Sequence, residues 1–98
     1  MTIHQNREEA KLTVAIEGRL DTMTAPELEK ALEKIWSGVS EFVLDMTRLE
    51  YVSSAGLRVI LKAQKIMSRQ GKMKLVGVNE SIMEVFEITG FTDILTIE

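Results

Sequence analysis

Apolar and polar residues alternate from Lys11 to Glu17: Leu12, Val14 and Ile16 fall on one side, Thr13 and Ala15 on the other. A period of two is the signature of a half-covered strand. Ile3 to Arg7 is a weaker strand candidate, and Glu8, Glu9 and Ala10 between the two form a polar turn, so the pattern predicts an antiparallel hairpin ending at Gly18. The period then changes. Thr24-Ala25-Pro26-Glu27 reads as a capping box with proline in the first helical turn, where its missing N–H is harmless. Leu28, Ala31, Leu32 and Ile35 supply the apolar stripe of that helix, and Ser37 and Gly38 are expected to stop it.

Glu41 to Met46 holds the continuous apolar run Phe42-Val43-Leu44, which suits a central strand covered on both faces. Thr47 to Val52 is expected to be the connection to a long helix from about Ser54 to Gln70. Leu57, Ile60, Leu61, Ala63, Ile66 and Met67 give that helix a broad apolar face, and Gly71 is its expected C-terminal cap. A strand follows over Lys72 to Val78. Asn79 or Ser81 can cap a helix that runs through Thr89, buries Ile82, Val85 and Phe86, and ends at Gly90. Asp93 to Ile97 reads as a last short strand. The order ββαβαβαβ implies right-handed crossovers and a mainly parallel core, made mixed by the opening hairpin. The predicted fold is one α/β domain over residues 1–98, with helices mainly on one face of the sheet. Leu28, Leu32, Leu57, Ile60, Leu61 and Phe86 are expected to be buried.

Composition narrows the function classes. Ninety-eight residues make one domain with a single core and little room for a deep cavity. A formal net charge of -3 and no basic block argue against nucleic acid as the main partner; Lys62, Lys65 and Arg69 follow helical spacing and read as one solvated face. The chain has no cysteine, so neither disulfides nor thiolate chemistry is available, and a reducing compartment fits. No apolar signal segment opens the chain, and no apolar run reaches membrane-spanning length. The expectation is a cytoplasmic protein without membrane insertion.

No enzyme constellation stands out. His4 is the single histidine and supplies by itself neither a metal site nor a Ser-His pair. There is no Walker-type loop and no GxGxxG. Asp21 and Asp45 lie near strand ends, where aspartate commonly closes turns. The expectation is therefore no catalytic residue, no metal and no cofactor.

The informative segment is Tyr51-Val52-Ser53-Ser54-Ala55-Gly56-Leu57-Arg58, where a loop enters the longest helix. A serine there can simply cap the helix. Ala55 and Gly56 also leave its hydroxyl sterically open, and glycine in a first helical turn points to a close backbone approach. A helix N-terminus offers free N–H groups and the positive end of a dipole to an added phosphate. Arg58 stands one turn on from Ser54. Loops gathered at one end of the sheet would bring Asp21 and Thr22 beside this helix start.

Ser53-Ser54-Ala55-Gly56-Leu57-Arg58-Val59-Ile60-Leu61 resembles the signature of the STAS-domain anti-sigma factor antagonists. Gly18-Arg19-Leu20-Asp21 with Thr24-Ala25-Pro26-Glu27-Leu28 resembles their second hallmark, and Phe42-Val43-Leu44-Asp45-Met46 the strand before the switch serine. The likeness runs in order along nearly the whole chain. It implies a partner switch that catalyses nothing itself. The unphosphorylated domain would bind an anti-sigma factor with serine kinase activity, phosphorylation would release it, and a PP2C-type phosphatase would reset it. By position in the motif the phosphate falls on Ser54, with Ser53 the alternative. The partner-binding residues implied are Asp21, Thr22, Ser53, Ser54, Ala55, Gly56 and Arg58. The competing reading is a STAS subunit of a transporter or scaffold complex that is never phosphorylated.

Overall fold

The alternating residues of the second strand carry the fold, because each apolar one lands on a buried partner. In the computed structural model, which describes all of residues 1–98, β1 (Thr2–Glu8) and β2 (Lys11–Leu20) form the expected antiparallel hairpin, with Ile3 opposite Ile16 and Arg7 opposite Leu12. β2 then runs parallel to β3 (Glu41–Val52), and β3 parallel to β4 (Lys72–Val76), giving one mixed sheet in the order β1-β2-β3-β4. Leu12, Val14 and Ile16 of β2, Phe42, Leu44 and Met46 of β3, and Met73 and Leu75 of β4 all enter one core.

Three helices cover that face: α1 (Ala25–Leu32), α2 (Ser54–Ser68) and α3 (Glu80–Thr89). They contribute Leu28 and Leu32, Ile60, Ala63 and Met67, and Ile82 and Phe86 to the same core. The opposite sheet face is open, apart from Val43, which is buried between Thr13 and Lys74 of the neighbouring strands. Five of the six side chains expected in the core are buried there. Leu61 is only half-buried: the inward arc of the helix runs from Val59 through Ala63, Met67 and Ile60 to Leu57, and Leu61 lies just past its margin.

Several element ends differ from expectation for identifiable reasons. Gly18 does not end β2. It sits at φ +98° beside a shift in the β2–β3 register, and the strand resumes through Leu20. Thr47 to Val52 is not a connection but the second half of β3, held by pairs such as Arg19 with Tyr51 and Leu20 with Val52. The irregular period of this stretch reflects the register shifts opposite it. α1 ends at Leu32, short of Ser37, although Ile35 and Trp36 still pack on the core. α2 ends at Ser68, and β4 stops at Val76, where Gly77 turns the chain at φ +69°.

Gly71 is not a left-handed cap; the capping position is Arg69, in right-handed conformation. A Cβ on Gly71 would collide with the backbone of Ser40, whose carbonyl accepts from Lys72 N–H at 2.9 Å. The glycine is demanded by that close crossing. Asn79 caps α3 as anticipated, accepting from Ile82 N–H at 2.9 Å, and Gly90 ends it at φ +78°, although Val85 is only half-buried. The last strand is reduced to one bridge between Leu75 and Ile97, because Phe91–Asp93 forms a 3-10 turn that uses up most of the remaining chain.

Candidate functional site

Parallel strands β2 and β3 end side by side, so the loop that leaves β2 and the helix that leaves β3 both start at the same end of the sheet. Ser53 N–H donates to the Leu20 carbonyl at 2.8 Å, so the start of α2 is tied to the residue from which the Asp21–Thr24 loop departs. This clamp brings together Asp21, Thr22 and the Ser53–Arg58 turn, as the sequence led one to expect.

Within the turn the two serines divide their tasks. Ser53 is the N-cap, with extended backbone, and its Oγ accepts from Gly56 N–H at 3.3 Å. It is half-buried. Ser54, one residue on, is exposed, and its hydroxyl makes no hydrogen bond within the chain. The N–H groups of Ser54 and Ala55 are likewise unpaired, as expected for the first turn of a helix. An exposed hydroxyl therefore stands beside two free donors at the positive end of a fifteen-residue helix.

Gly56 is buried, and so lies beneath this surface and not on it. A Cβ there would come within 2.7 Å of Leu20 Cγ and 3.0 Å of the Leu20 carbonyl oxygen. The close approach suspected from glycine in a first turn is thus α2 meeting the end of β2. Ala55 packs partly against the core, and Arg58 is exposed.

The capping box expected at Thr24 does not form. Thr24 has helical backbone (φ -98°, ψ -20°), whereas a side-chain cap needs an extended one. Its hydroxyl instead donates to the Arg19 carbonyl at 2.7 Å and accepts from Asp21 N–H at 2.8 Å. Asp21 organises the helix entrance: Oδ1 accepts from Met23 N–H at 3.0 Å and from Thr24 N–H at 3.1 Å. The Thr24 N–H is the main reason the Asp21 carboxyl is held below its ordinary range. Partial desolvation opposes it, and Met23 N–H, the Thr24 hydroxyl and Arg19 assist. Asp21 is half-buried and shapes the loop, leaving Thr22 as its exposed neighbour.

Three residues of this surface are not among the partner-binding residues expected from the sequence. Met23 is 83% exposed at the tip of the Asp21 loop, and Tyr51 is 42% exposed on β3 just before the helix. Arg19 places its guanidinium 4.2 Å from the centre of the Tyr51 ring and its Nε 3.8 Å from Asp21 Oδ2. The available signals were a methionine inside a polar turn and the chain's one tyrosine, next to the serines. The pairing of Arg19 with Tyr51 across β2 and β3 is what presents that ring beside the serines.

Asp45, expected near a strand end, lies within β3 instead, because the strand continues to Val52; it faces the open side of the sheet and accepts from the Thr47 hydroxyl at 2.6 Å and the Thr47 N–H at 3.0 Å. His4 also lies on that side, 2.8 Å from Glu17, which pairs in turn with Arg48 at 3.0 Å. The hydrogen bond to His4, then that to Arg48, holds the Glu17 carboxyl below its ordinary range. None of these residues joins the Ser54 surface. No group of three or more histidine, aspartate or glutamate side chains is placed to hold a metal. No helix is long and apolar enough to cross a membrane.

The STAS domain model matches residues 2–98. BtrV of Bordetella bronchiseptica, provisionally assigned as an anti-sigma factor antagonist, is 34% identical, with 99% of this chain and 85% of BtrV covered. The anti-sigma-B factor antagonist of Listeria monocytogenes is 32% identical, with 96% of this chain and 84% of that protein covered. The anti-sigma factor antagonist SpoIIAA has the same fold in its unphosphorylated form, with a TM-score of 0.76, 13% identity and coverage of 99% of this chain and 87% of SpoIIAA. The phosphorylated form from Bacillus matches with the same TM-score at 14% identity, covering 99% and 91%.

Proposed function

The chain belongs to the STAS domain family, and from that premise we propose that it is an anti-sigma factor antagonist controlled by phosphorylation of Ser54. With Ser54 unmodified it binds an anti-sigma factor that is also a serine kinase. Phosphorylation releases that partner, and a PP2C-type phosphatase restores binding. The protein itself catalyses nothing and works in the cytoplasm.

The observation that carries this reading is the division between the two serines. Ser53 Oγ is engaged as the helix cap, whereas Ser54 Oγ is exposed, unbonded and next to two free N–H groups. A phosphoserine carries about -1.5 to -2 charges at neutral pH. At a helix N-terminus that charge is stabilised locally, so the domain need not rearrange to accept it. Within an interface the same group must be desolvated, which is costly. The relatives include a protein solved with one fold in both phosphorylated and unphosphorylated forms, which accords with a switch that acts at the surface. Thr22, Met23, Tyr51 and Arg58 are exposed around Ser54 and supply the contact surface. Asp21, Ser53, Ala55 and Gly56 hold that surface in place.

The test is binding to the cognate anti-sigma factor with ATP present. Ser54→Ala should stay bound, while Ser54→Asp should bind at least about a hundredfold more weakly, equivalent to about 2.8 kcal/mol. Ser53→Ala should still be phosphorylated. Phosphate on Ser53 alone, read by mass spectrometry, would reassign the residue. A stable complex carrying phosphorylated Ser54 would sink the mechanism.

A further inference from the structure

Between Tyr51 and Asn79 the chain has six basic residues and no acidic one. The rest of the molecule holds the other six of its 12 basic residues against all 15 acidic ones, a balance of -9. The fold turns this division into a surface. Along α2 and its C-cap, Ser54, Arg58, Lys62, Lys65 and Arg69 are all exposed. At 3.6 residues per turn they share an arc about 80° wide, and Arg58 to Arg69 spans roughly 17 Å along the axis. Only Lys62 has an ion-pair partner, Glu29 of α1 at 3.3 Å. Arg58, Lys65 and Arg69 have none within the chain. The spacings Arg58–Lys62 and Lys65–Arg69 are like-charge i,i+4 pairs, which disfavour the free helix. Arg58 also sits near the positive end of the dipole, with no acid in the first turn to offset it. Lys65 and Arg69 lie at the negative end of the dipole, which offsets part of their charge, but no carboxylate pairs with Arg58, Lys65 or Arg69 in the isolated protein.

Resting on the reading of Ser54 as the switch, we propose that this strip of α2 is a docking rail for an acidic surface of the anti-sigma factor, with Ser54 at its head. Opposite charge across an interface raises the rate of encounter and sets the register of docking. The strip is one helix wide, and Glu29 of α1 pairs with Lys62 at its border. A short strip of four cations on a chain of net charge -3 matches a compact acidic ridge on a protein better than an extended polyanion such as DNA or an anionic membrane. A phosphate on Ser54 would add about -1.5 to -2 charges to a line of four cations, so modification would weaken steering as well as block contact.

The probe is the purified anti-sigma factor of the source organism that binds the unmodified chain in pairwise assays. Association rates are measured from about 0.05 to about 1 M salt, where the screening length falls from over 10 Å to about 3 Å. Lys65→Glu with Arg69→Glu should slow association roughly tenfold at low salt and converge on wild type at high salt. The kinase kcat/KM toward Ser54 should fall by the same factor, with kcat unchanged. Lys30→Glu with Lys34→Glu, on α1 and just past its end, makes the same change in net charge off the strip and should leave association near wild type. Unaltered rates in the Lys65/Arg69 variant, or equal slowing in the α1 variant, would overturn the rail while leaving the Ser54 switch intact. Tight binding by Ser54→Asp would overturn the switch and leave the rail to be judged on its salt dependence. Failure of every anti-sigma factor to bind would remove both. A wild-type dimer abolished by the Lys65/Arg69 reversal, seen by sedimentation velocity, would make the strip a contact between copies and overturn the proposal.

Discussion

Adjacent serines with different tasks should respond differently to the same truncation. Ser53→Ala removes the acceptor for Gly56 N–H and should cost about 1 kcal/mol in urea unfolding. Ser54→Ala removes an exposed hydroxyl with no partner and should stay within about 0.5 kcal/mol of wild type. Gly56→Ala sets a gain in helix propensity of about 1 kcal/mol against a methyl pressed to 2.7 Å from Leu20 Cγ. Overpacking of this kind costs about 1–3 kcal/mol, so the net effect should be destabilising. It should also shift the Ser54 turn relative to the Asp21 loop. Asp21 ties that loop through a pH-sensitive acceptor. Its folded pKa lies below the ordinary 3.8, so its contribution is present above that value and is lost as pH falls through the lower, folded pKa. An NMR titration should show the Met23 and Thr24 amide signals moving only in that acidic range. In Asp21→Asn this titration should be absent.

At the scale of elements, α2 explains why a broad apolar stripe is not a map of burial. A helix packed on a sheet covers one arc, and Leu61 lies at its margin while Val59 and Ile60 lie within it. Ile60→Ala should cost about 2–5 kcal/mol, and Leu61→Ala distinctly less, by thermal or denaturant melts. Equal costs would mean a different helix rotation. The connection from α2 to β4 has its own constraint, because any side chain at Gly71 meets the Ser40 backbone. Gly71→Ala should therefore destabilise despite an ordinary φ, and the loss should exceed that of Gly90→Ala if steric exclusion outweighs backbone strain, since a Cβ at Gly90 meets nothing within 4 Å. The second half of β3 matters most for function. By extending to Val52 it carries Tyr51 and the α2 start out beyond the edge of β4.

For the molecule as a whole, the sheet separates stability from signalling. The core lies between the helices and one sheet face, and the Ser54 surface stands at the C-terminal ends of β2 and β3, outside it. Ser54→Asp should therefore leave the melting temperature nearly unchanged while abolishing partner binding. A large drop in melting temperature would mean that modification acts by unfolding. The charge division runs along the same lines: the basic segment supplies the exposed side of α2, and the acids are spread over the remaining surface.

Local chemistry was enough to identify the hairpin, the three helices, the central apolar strand and the Ser53-Ser54-Ala55-Gly56 turn. Period, caps and turn residues act within a few positions of one another, and those positions stand in the sequence as neighbours. Tertiary contact decided the rest. The second half of β3 is a strand because β2 pairs with it across two register shifts. Thr24 surrenders its capping role because Asp21 and the Arg19 carbonyl take its hydroxyl. Gly71 is needed because Ser40 crosses it, and Gly56 because Leu20 does. The strand pairing and the two glycine contacts depend on groups far away in sequence; Thr24 depends on neighbours three and five residues back, whose placement follows the path of the chain as it leaves β2. The choice of Ser54 over Ser53 as the available hydroxyl obeys the same rule: both can cap a helix, and only the place where β3 ends and α2 begins determines which one is left facing solvent.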